Sequence, residues 1–440
     1  MNSPAASLEI AERTRRRITW RIMPYLLLLY IIAYLDRVNV GYANLRMSAD
    51  LGFSPSDFGT GAGIFFIGYF LLEIPGTLLV ENWSARGWIA RIMISWGILA
   101  VMMGFIHTKS QFYWLRFLLG AAEAGFFPGI IVYLSHWFRY EDRAKALAFF
   151  ASGITISNIV GSPISGLLLK LEWLGLAGWR WLFIIEGLPA IVFGVVTIFY
   201  LTDWPHQAKW LPEDEREWLT RELERERKLK AAGHSQGIWA ALRQREVIQL
   251  AVAYFFIVSC SYGFSFWLPM IVKRASGLSD FKVTLVSALP YCVGLGGMLF
   301  NGWSSDRTGE RRYHTTVSIL LVCIGFYLST LTENVALSLG MLCLAAVGLY
   351  GYLPSFWALP SAFLTGSAAA ASIGLINSVG NLGGFLGPYI VGEINTVTNS
   401  FVGGVLYLSA SALVSAVLVV TLRKSSARAP AVAEAPSSVD

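Results

Sequence analysis

Long apolar runs separated by short polar breaks fill this chain almost from end to end. A helix that crosses a bilayer needs about 20 mostly apolar residues. Twelve runs reach that length: about 20–41, 58–80, 87–107, 111–137, 145–170, 180–201, 247–272, 281–303, 313–332, 335–358, 366–393 and 400–422. A polar segment, 202–246, separates the sixth from the seventh. The pattern predicts an all-α integral membrane protein of twelve transmembrane helices in two six-helix bundles. The bundles would occupy 20–201 and 247–422, with a tail at 1–19, a linker at 202–246 and a disordered tail at 423–440. Within the linker, Leu211-Pro212 followed by Glu213, Asp214 and Glu215 suits the start of a helix, because proline and acids favour the first turn. Glu217 with Arg221 and Glu224 with Lys228 are spaced to pair along one face. A short surface helix strapping the two bundles is expected there.

Composition agrees with this pattern. The chain has 440 residues, 55% of them hydrophobic and only 14% charged. A soluble protein is usually about 25% charged. The deficit runs the whole length, which excludes a soluble domain with a single anchor. The first 19 residues are polar and lack an apolar signal core, so no cleavable leader is expected. The net charge of +6 sits in loops and tails and reports topology rather than nucleic-acid binding. Arg13, Arg15, Arg16 and Arg17, then Arg86 and Arg91, then Arg139, Arg143 and Lys145, then Arg307, Arg311 and Arg312, then Arg423, Lys424 and Arg428 all fall on one side. Both termini are therefore expected in the cytoplasm. Lys273, Arg274 and Lys282 on the other side are the exception. Cys260, Cys292, Cys323 and Cys343 lie in apolar runs without metal-like spacing and read as small packing residues. The five histidines show no ligand spacing either. Neither metal nor cofactor is expected, and no phosphate-binding loop, hydrolytic triad or nucleotide-binding domain is evident. The chain reads as no enzyme, driven by an ion gradient.

Five charges interrupt the first third of the apolar pattern: Asp36, Arg37, Glu73, Arg116 and Glu123. A charge at a bilayer centre costs about 2.5–3.5 kcal/mol on insertion scales, so it persists where a partner, water or a substrate meets it. Arg116 and Glu123 are two helical turns apart on one face, about 10 Å along the axis. Asp36 and Arg37 point about 100° apart, so one can face substrate and the other a neighbouring helix. An arginine presents a planar fork to a carboxylate. A carboxylate shielded from water takes up a proton more readily, and a nearby arginine opposes that. Satisfying the arginine with substrate, or moving it away, lets the acid load. The expected assignment makes Asp36 and Glu123 proton carriers, Arg37 the ligand of the substrate carboxylate, and Arg116 the counter-charge that tunes Glu123. The competing reading is a permanently paired network that only holds helices together. Protons are favoured over sodium because arginines beside the carboxylates disfavour a second fixed cation. Tyr69 and Asn158 are neutral candidates for substrate contact, and Tyr262 and Trp267 suit substrate contact as well as they suit packing or gating. Glu73 and Glu186 read as structural.

Shifting the chain by 225 residues places Pro163 on Pro388, Glu81 on Asp306 and Arg86 on Arg311. Parallel repeats of this kind place a transport site near the midplane between them. The second copy of the shared loop, Gly302-Trp-Ser-Ser-Asp306-Arg307-Thr-Gly309-Glu-Arg311-Arg312, resembles the inter-helix loop of the major facilitator superfamily. That likeness implies a conformational lock built from Asp306, Arg307 and Arg311, with Glu81 and Arg86 in the other copy. The first copy departs from the pattern at Thr77, Glu81 and Ser84. Further segments resemble the anion:cation symporters of that superfamily, most of all the tartrate and phthalate branch. They are Tyr34-Leu-Asp36-Arg37-Val-Asn39, Arg116 through Glu123 to Pro128, Trp179-Arg-Trp through Glu186 to Pro189, Asp203-Trp-Pro205, and Asn377-Ser-Val-Gly-Asn381. The resemblance covers roughly residues 15–425. It implies proton-coupled uptake of a small carboxylate such as tartrate, phthalate or a sugar acid, by a monomer in a prokaryotic inner membrane. It also implies that Trp357 and Asn377 face the substrate. Asn381, one turn on, shares that face and can donate as well. A proton-driven exporter is the first alternative, since Gly153 and Gly161-Ser-Pro163 faintly resemble drug antiporters. A sensor on the same fold and a membrane enzyme are weaker ones.

Overall fold

The computed structural model describes residues 4–82, 84–232, 242–360 and 366–422. They form fifteen α-helices and one 3-10 turn, with no strand among the described residues. The first set is α1 (Pro4–Leu51), α2 (Pro55–Asn82), α3 (Ala85–Met103), α4 (Lys109–Glu123), α5 (Phe126–Trp137), α6 (Tyr140–Ala151), α7 (Gly153–Leu168) and α8 (Gly178–Tyr200). The turn Pro205–Gln207 and α9 (Glu213–Ala232) follow. The second set is α10 (Arg245–Ser276), α11 (Asp280–Thr308), α12 (Arg312–Ser329), α13 (Val335–Ala358), α14 (Gly366–Thr398) and α15 (Val402–Val420). Nine helical stretches among the described residues are long and apolar enough to cross a membrane.

Three elements differ from the sequence pattern. The span expected at 111–137 is two helices, because Gly125 takes a left-handed φ of 86° and breaks the rod between α4 and α5. The span expected at 145–170 divides at Ser152, where α6 gives way to α7. The polar residues before the first span are helical from Pro4 onward and continue α1. Their partner is α9: the Arg13 Nε and Arg17 Nε lie 2.8 and 3.1 Å from the buried Glu215 carboxylate, and Arg13 also pairs with Asp214. The expected strap helix thus fastens the start of α1. Arg221 lies 3.7 Å from Glu217, as the spacing predicted; the Lys228 side chain and residues 423–440 lie outside the described residues. Cys292 is exposed on the outer surface rather than packed inside, while Cys260 is buried.

The two sets meet along three seams. The α2–α14 seam is built at backbone distance: a Cβ on Gly59 would lie 2.4 Å from the Pro388 carbonyl oxygen, and one on Gly392 2.5 Å from that of Pro55. Small residues are what allow membrane helices to approach this closely. The α7–α11 seam carries a hydrogen bond from the Ser162 hydroxyl to the Thr284 carbonyl. It is the 225-residue counterpart of the first, since Gly59 maps onto Thr284 and Pro163 onto Pro388. The third seam joins α1 to α10, where Arg37 donates to Tyr262, its own counterpart 225 residues away. Equivalent positions touch only near a twofold axis, so this contact marks where the two repeats face each other.

The end of the bundle opposite α9 is closed by polar contacts between the sets. Arg46 Nε and Lys273 Nζ lie 2.8 and 2.9 Å from Asp280, and Ser56 bonds to Glu393 and Thr396. Asp57 caps α2 on that face. Burial opposes its charge, but Lys109 at 2.6 Å and the Ser54 hydroxyl and amide outweigh it and hold the carboxyl at about 2.

Candidate functional site

Two of the intramembrane charges, Arg37 and Glu123, meet at the α1–α10 seam. Arg37 is the hub. One guanidinium nitrogen pairs with Glu123, and another donates to the Tyr262 hydroxyl at 3.0 Å. Its Cζ lies 5.4 Å from the ring centroids of both Phe65 and Tyr69 and 5.7 Å from that of Tyr34. An aromatic cage of this kind holds a cation by its ring faces and excludes water. Glu123 is the last residue of α4, two residues before the left-handed break at Gly125, and is 2% exposed. The break therefore delivers the carboxylate to the centre of the bundle instead of continuing it around α4. Neighbouring Gly120 lets α4 reach α2, since a Cβ there would lie 1.8 Å from the Phe65 carbonyl oxygen.

Arg116 acts on Glu123 at a distance rather than by direct contact. Its Nε and a terminal nitrogen donate to the Gly61 and Ala62 carbonyls at 3.3 and 3.0 Å, and it lies over Phe65. No ion pair joins it to Glu123 among the described residues, although its charge still acts on that carboxylate electrostatically. Arg37 is the direct partner, because the end of α4 turns Glu123 towards α1. Asp36 points away from Arg37, as adjacent helical positions must. It accepts from Trp96 Nε1 at 2.8 Å and Asn39 at 3.3 Å, and is 3% exposed.

A second polar cluster lies on the α2–α14 seam. Glu73, one turn beyond Tyr69, accepts from the Asn377 amide at 2.6 Å and the Ser378 hydroxyl at 2.9 Å, and Asn381 bonds to the same carboxylate. The charge of Arg37 also acts on it, which links the two clusters. Trp357 packs edge-on against Tyr254, with ring centroids 4.9 Å apart. Asn158 is buried, donates to the Ile154 carbonyl of its own helix, and leaves its amide oxygen without a hydrogen-bond partner.

Arg37, Glu123, Tyr69, Asn377 and Asn381 are thus brought together, while Asp36 and Asn158 lie aside. The sequence reading missed three groups: Ser378, the service of Glu73 to Asn377, and Tyr262 as the partner of Arg37. The last was legible in the 225-residue shift, which superposes the two. The loop residues are also placed. Arg311 lies 2.6 Å from Asp306 and donates to Ser305, and Arg307 covers Trp303. In the other copy, the backbone amide of Arg86 and the Ser84 hydroxyl both donate to Asp203 at 2.8 Å. The Glu81 side chain lies outside the described residues.

Buried opposite charges on a repeat axis of a membrane helix bundle are an arrangement of transport proteins, and the sequence profile of the Major Facilitator Superfamily matches residues 26–388. The chain belongs to this superfamily. A protein of Agrobacterium vitis named "Putative tartrate transporter" is 46% identical over 94% of this chain and 96% of its own. The "Quinolone resistance transporter" of Acinetobacter baumannii is 39% identical over 90% and 91%. The "Inner membrane transport protein RhmT" of Escherichia coli is 38% identical over 92% and 94%. Among solved structures, an inward-facing bacterial homolog of the human lysosomal transporter Spinster superposes with a TM-score of 0.73, at 18% identity, over 90% of this chain and 94% of that one. The xylose transporter XylE of E. coli does so at 0.70, at 12% identity, over 91% and 97%. The fold is that of the superfamily, and the chain is a multi-pass membrane transporter of its tartrate-transporter-like branch, not an enzyme.

Proposed function

We propose that this transporter couples protons to the uptake of a small organic carboxylate by alternating access, with tartrate-like dicarboxylates as the first candidates. The observation that carries the reading is the caged Arg37–Glu123 pair joined to Tyr262 across the repeat axis. In the empty site Glu123 neutralises Arg37. An incoming carboxylate takes its place on the guanidinium, which accepts it in the same planar geometry. Glu123, released in a dry site, takes up a proton, because an unpaired buried carboxylate is far costlier than a neutral one. The site keeps its net charge, and one proton enters with each carboxylate bound.

Glu73 repeats this logic at the other end. It occupies the Asn377, Ser378 and Asn381 donors that a second carboxylate or hydroxyl of the substrate needs. Its displacement and protonation give a second proton for a dianion. Asp36, buried against Trp96 and apart from Arg37, is a further candidate proton carrier outside this exchange, and Tyr69 and Trp357 complete the substrate surface. The proton is the coupling ion and no cofactor takes part. The frame is a monomer of twelve spans, six plus six, in a bacterial inner membrane with both termini cytoplasmic. The Asp306–Arg311 loop and its Arg86 counterpart lock one state of the cycle.

The relative named for quinolone resistance favours a second reading, export driven by the proton gradient. One experiment separates them. Tartrate added outside weakly buffered proteoliposomes should make the external medium more alkaline, with phthalate and galactonate as competitors. Acidification on adding substrate would support the exporter, and no pH change with any of the acids would overturn both carboxylate readings.

A further inference from the structure

Far from the transport site, a groove of about 640 Å³ opens where α1, α8 and the linker before α9 meet. Arg13, Arg16, Arg17 and Arg21 line one wall, the polar face of α1 where the first apolar run begins. Trp20, Tyr200 and Trp210 line the rest. Two of the arginines are already committed to Asp214 and Glu215 of α9. Arg16 is exposed, and Arg21 lies 4.7 Å over the Tyr200 ring and 4.9 Å over that of Trp210. Neither has an acidic partner among the described residues. Four arginines facing two carboxylates leave two positive charges in one concave site.

Depth adds the second observation. Trp20 is 73% exposed at the first residue of the first apolar run, and Tyr200 is the last residue of α8. Exposed tryptophan and tyrosine at span ends sit at the headgroup level of a bilayer. Basic pockets between helices at that level suit phosphate headgroups.

We propose that this groove is a binding site for the phosphate headgroup of an anionic phospholipid. Arg16 and Arg21 pair with the phosphate, Trp20 flanks the glycerol, and the acyl chains run down the outer face of α1 and α8. Because the same arginine row fastens α9 through Glu215, an occupied groove also braces the strap against the first helix set.

The test uses the full-length purified transporter in nanodiscs and detergent. Phosphatidylglycerol should survive as a bound lipid in native mass spectrometry and raise the melting temperature, whereas phosphatidylcholine should do neither. Arg16→Gln should weaken phosphatidylglycerol binding roughly fivefold, and Arg16→Gln with Arg21→Gln further still, at about 1 kcal/mol per arginine. Arg16 makes no side-chain hydrogen bond or ion pair among the described residues, so its single variant keeps the test valid if the double variant fails to fold. Equal retention of the two lipids, or unchanged retention by Arg16→Gln, would overturn the proposal. Equal protection by millimolar inorganic phosphate in lipid-free detergent would overturn it too, by assigning the groove to a soluble anion.

Discussion

At the scale of single residues, Glu123 and Glu73 have the same problem and the same solution. Each is a carboxylate shielded from water and held by donors that the proposed cycle hands to the substrate anion. Glu123→Gln keeps the shape but cannot ionise. It should abolish proton-driven accumulation of tartrate while leaving tartrate–tartrate exchange in place; accumulation with wild-type pH dependence would remove Glu123 from the scheme. Glu73→Gln removes a negative charge beside Asn377. Tartrate binding, measured by calorimetry, should then weaken less with rising pH than in the wild type, and one fewer proton should be taken up per tartrate bound. An unchanged proton count would return Glu73 to a purely structural role. These charges were legible because ionisable residues in apolar runs are conspicuous. Their pairing was not. Spacing along one helix set Arg116 near enough to Glu123 to act on it, but the direct contact with Arg37 goes with the break at Gly125, a backbone event that a run of apolar residues conceals.

At the scale of elements, glycine decides how close the helices come. Gly120 faces the Phe65 carbonyl, and the interlock of α2 with α4 brings Arg116 within reach of the Gly61 and Ala62 carbonyls. Gly120→Ala must push the two helices apart, with an overpacking cost of about 1–3 kcal/mol. A lower melting temperature in detergent, together with weakened tartrate binding, is the expected result. A variant as stable as the wild type would show that α2 and α4 slide freely past each other. The apolar runs located most helices well, since length and hydropathy suffice for that. They failed where a helix is broken without losing its apolar character, at Gly125 and Ser152. They failed again where a polar helix is stabilised by a distant partner, as the start of α1 is by Glu215.

At the scale of the whole molecule, the 225-residue repeat makes the structure intelligible. Arg37 meets Tyr262 on the axis, and the α2–α14 seam has its counterpart in α7–α11. Alternating access requires these seams to open at one end as they close at the other. The closed end here is held by Asp280 between Arg46 and Lys273. Asp280→Asn should loosen it, and a cysteine replacing buried Ser265 in a cysteine-free background should then react faster with a membrane-impermeant maleimide. No change in rate would mean that the glycine seams alone keep that end shut. Which substrate fits between the seams was not legible in the sequence, because pocket shape depends on where distant helices cross. The central claim, that a carboxylate and protons enter together, is tested most directly by radiolabelled tartrate in proteoliposomes, with and without an imposed inward proton gradient. The account predicts accumulation above the external concentration only with the gradient. Equal uptake in both conditions, or loss of preloaded tartrate when the gradient is applied, would contradict it.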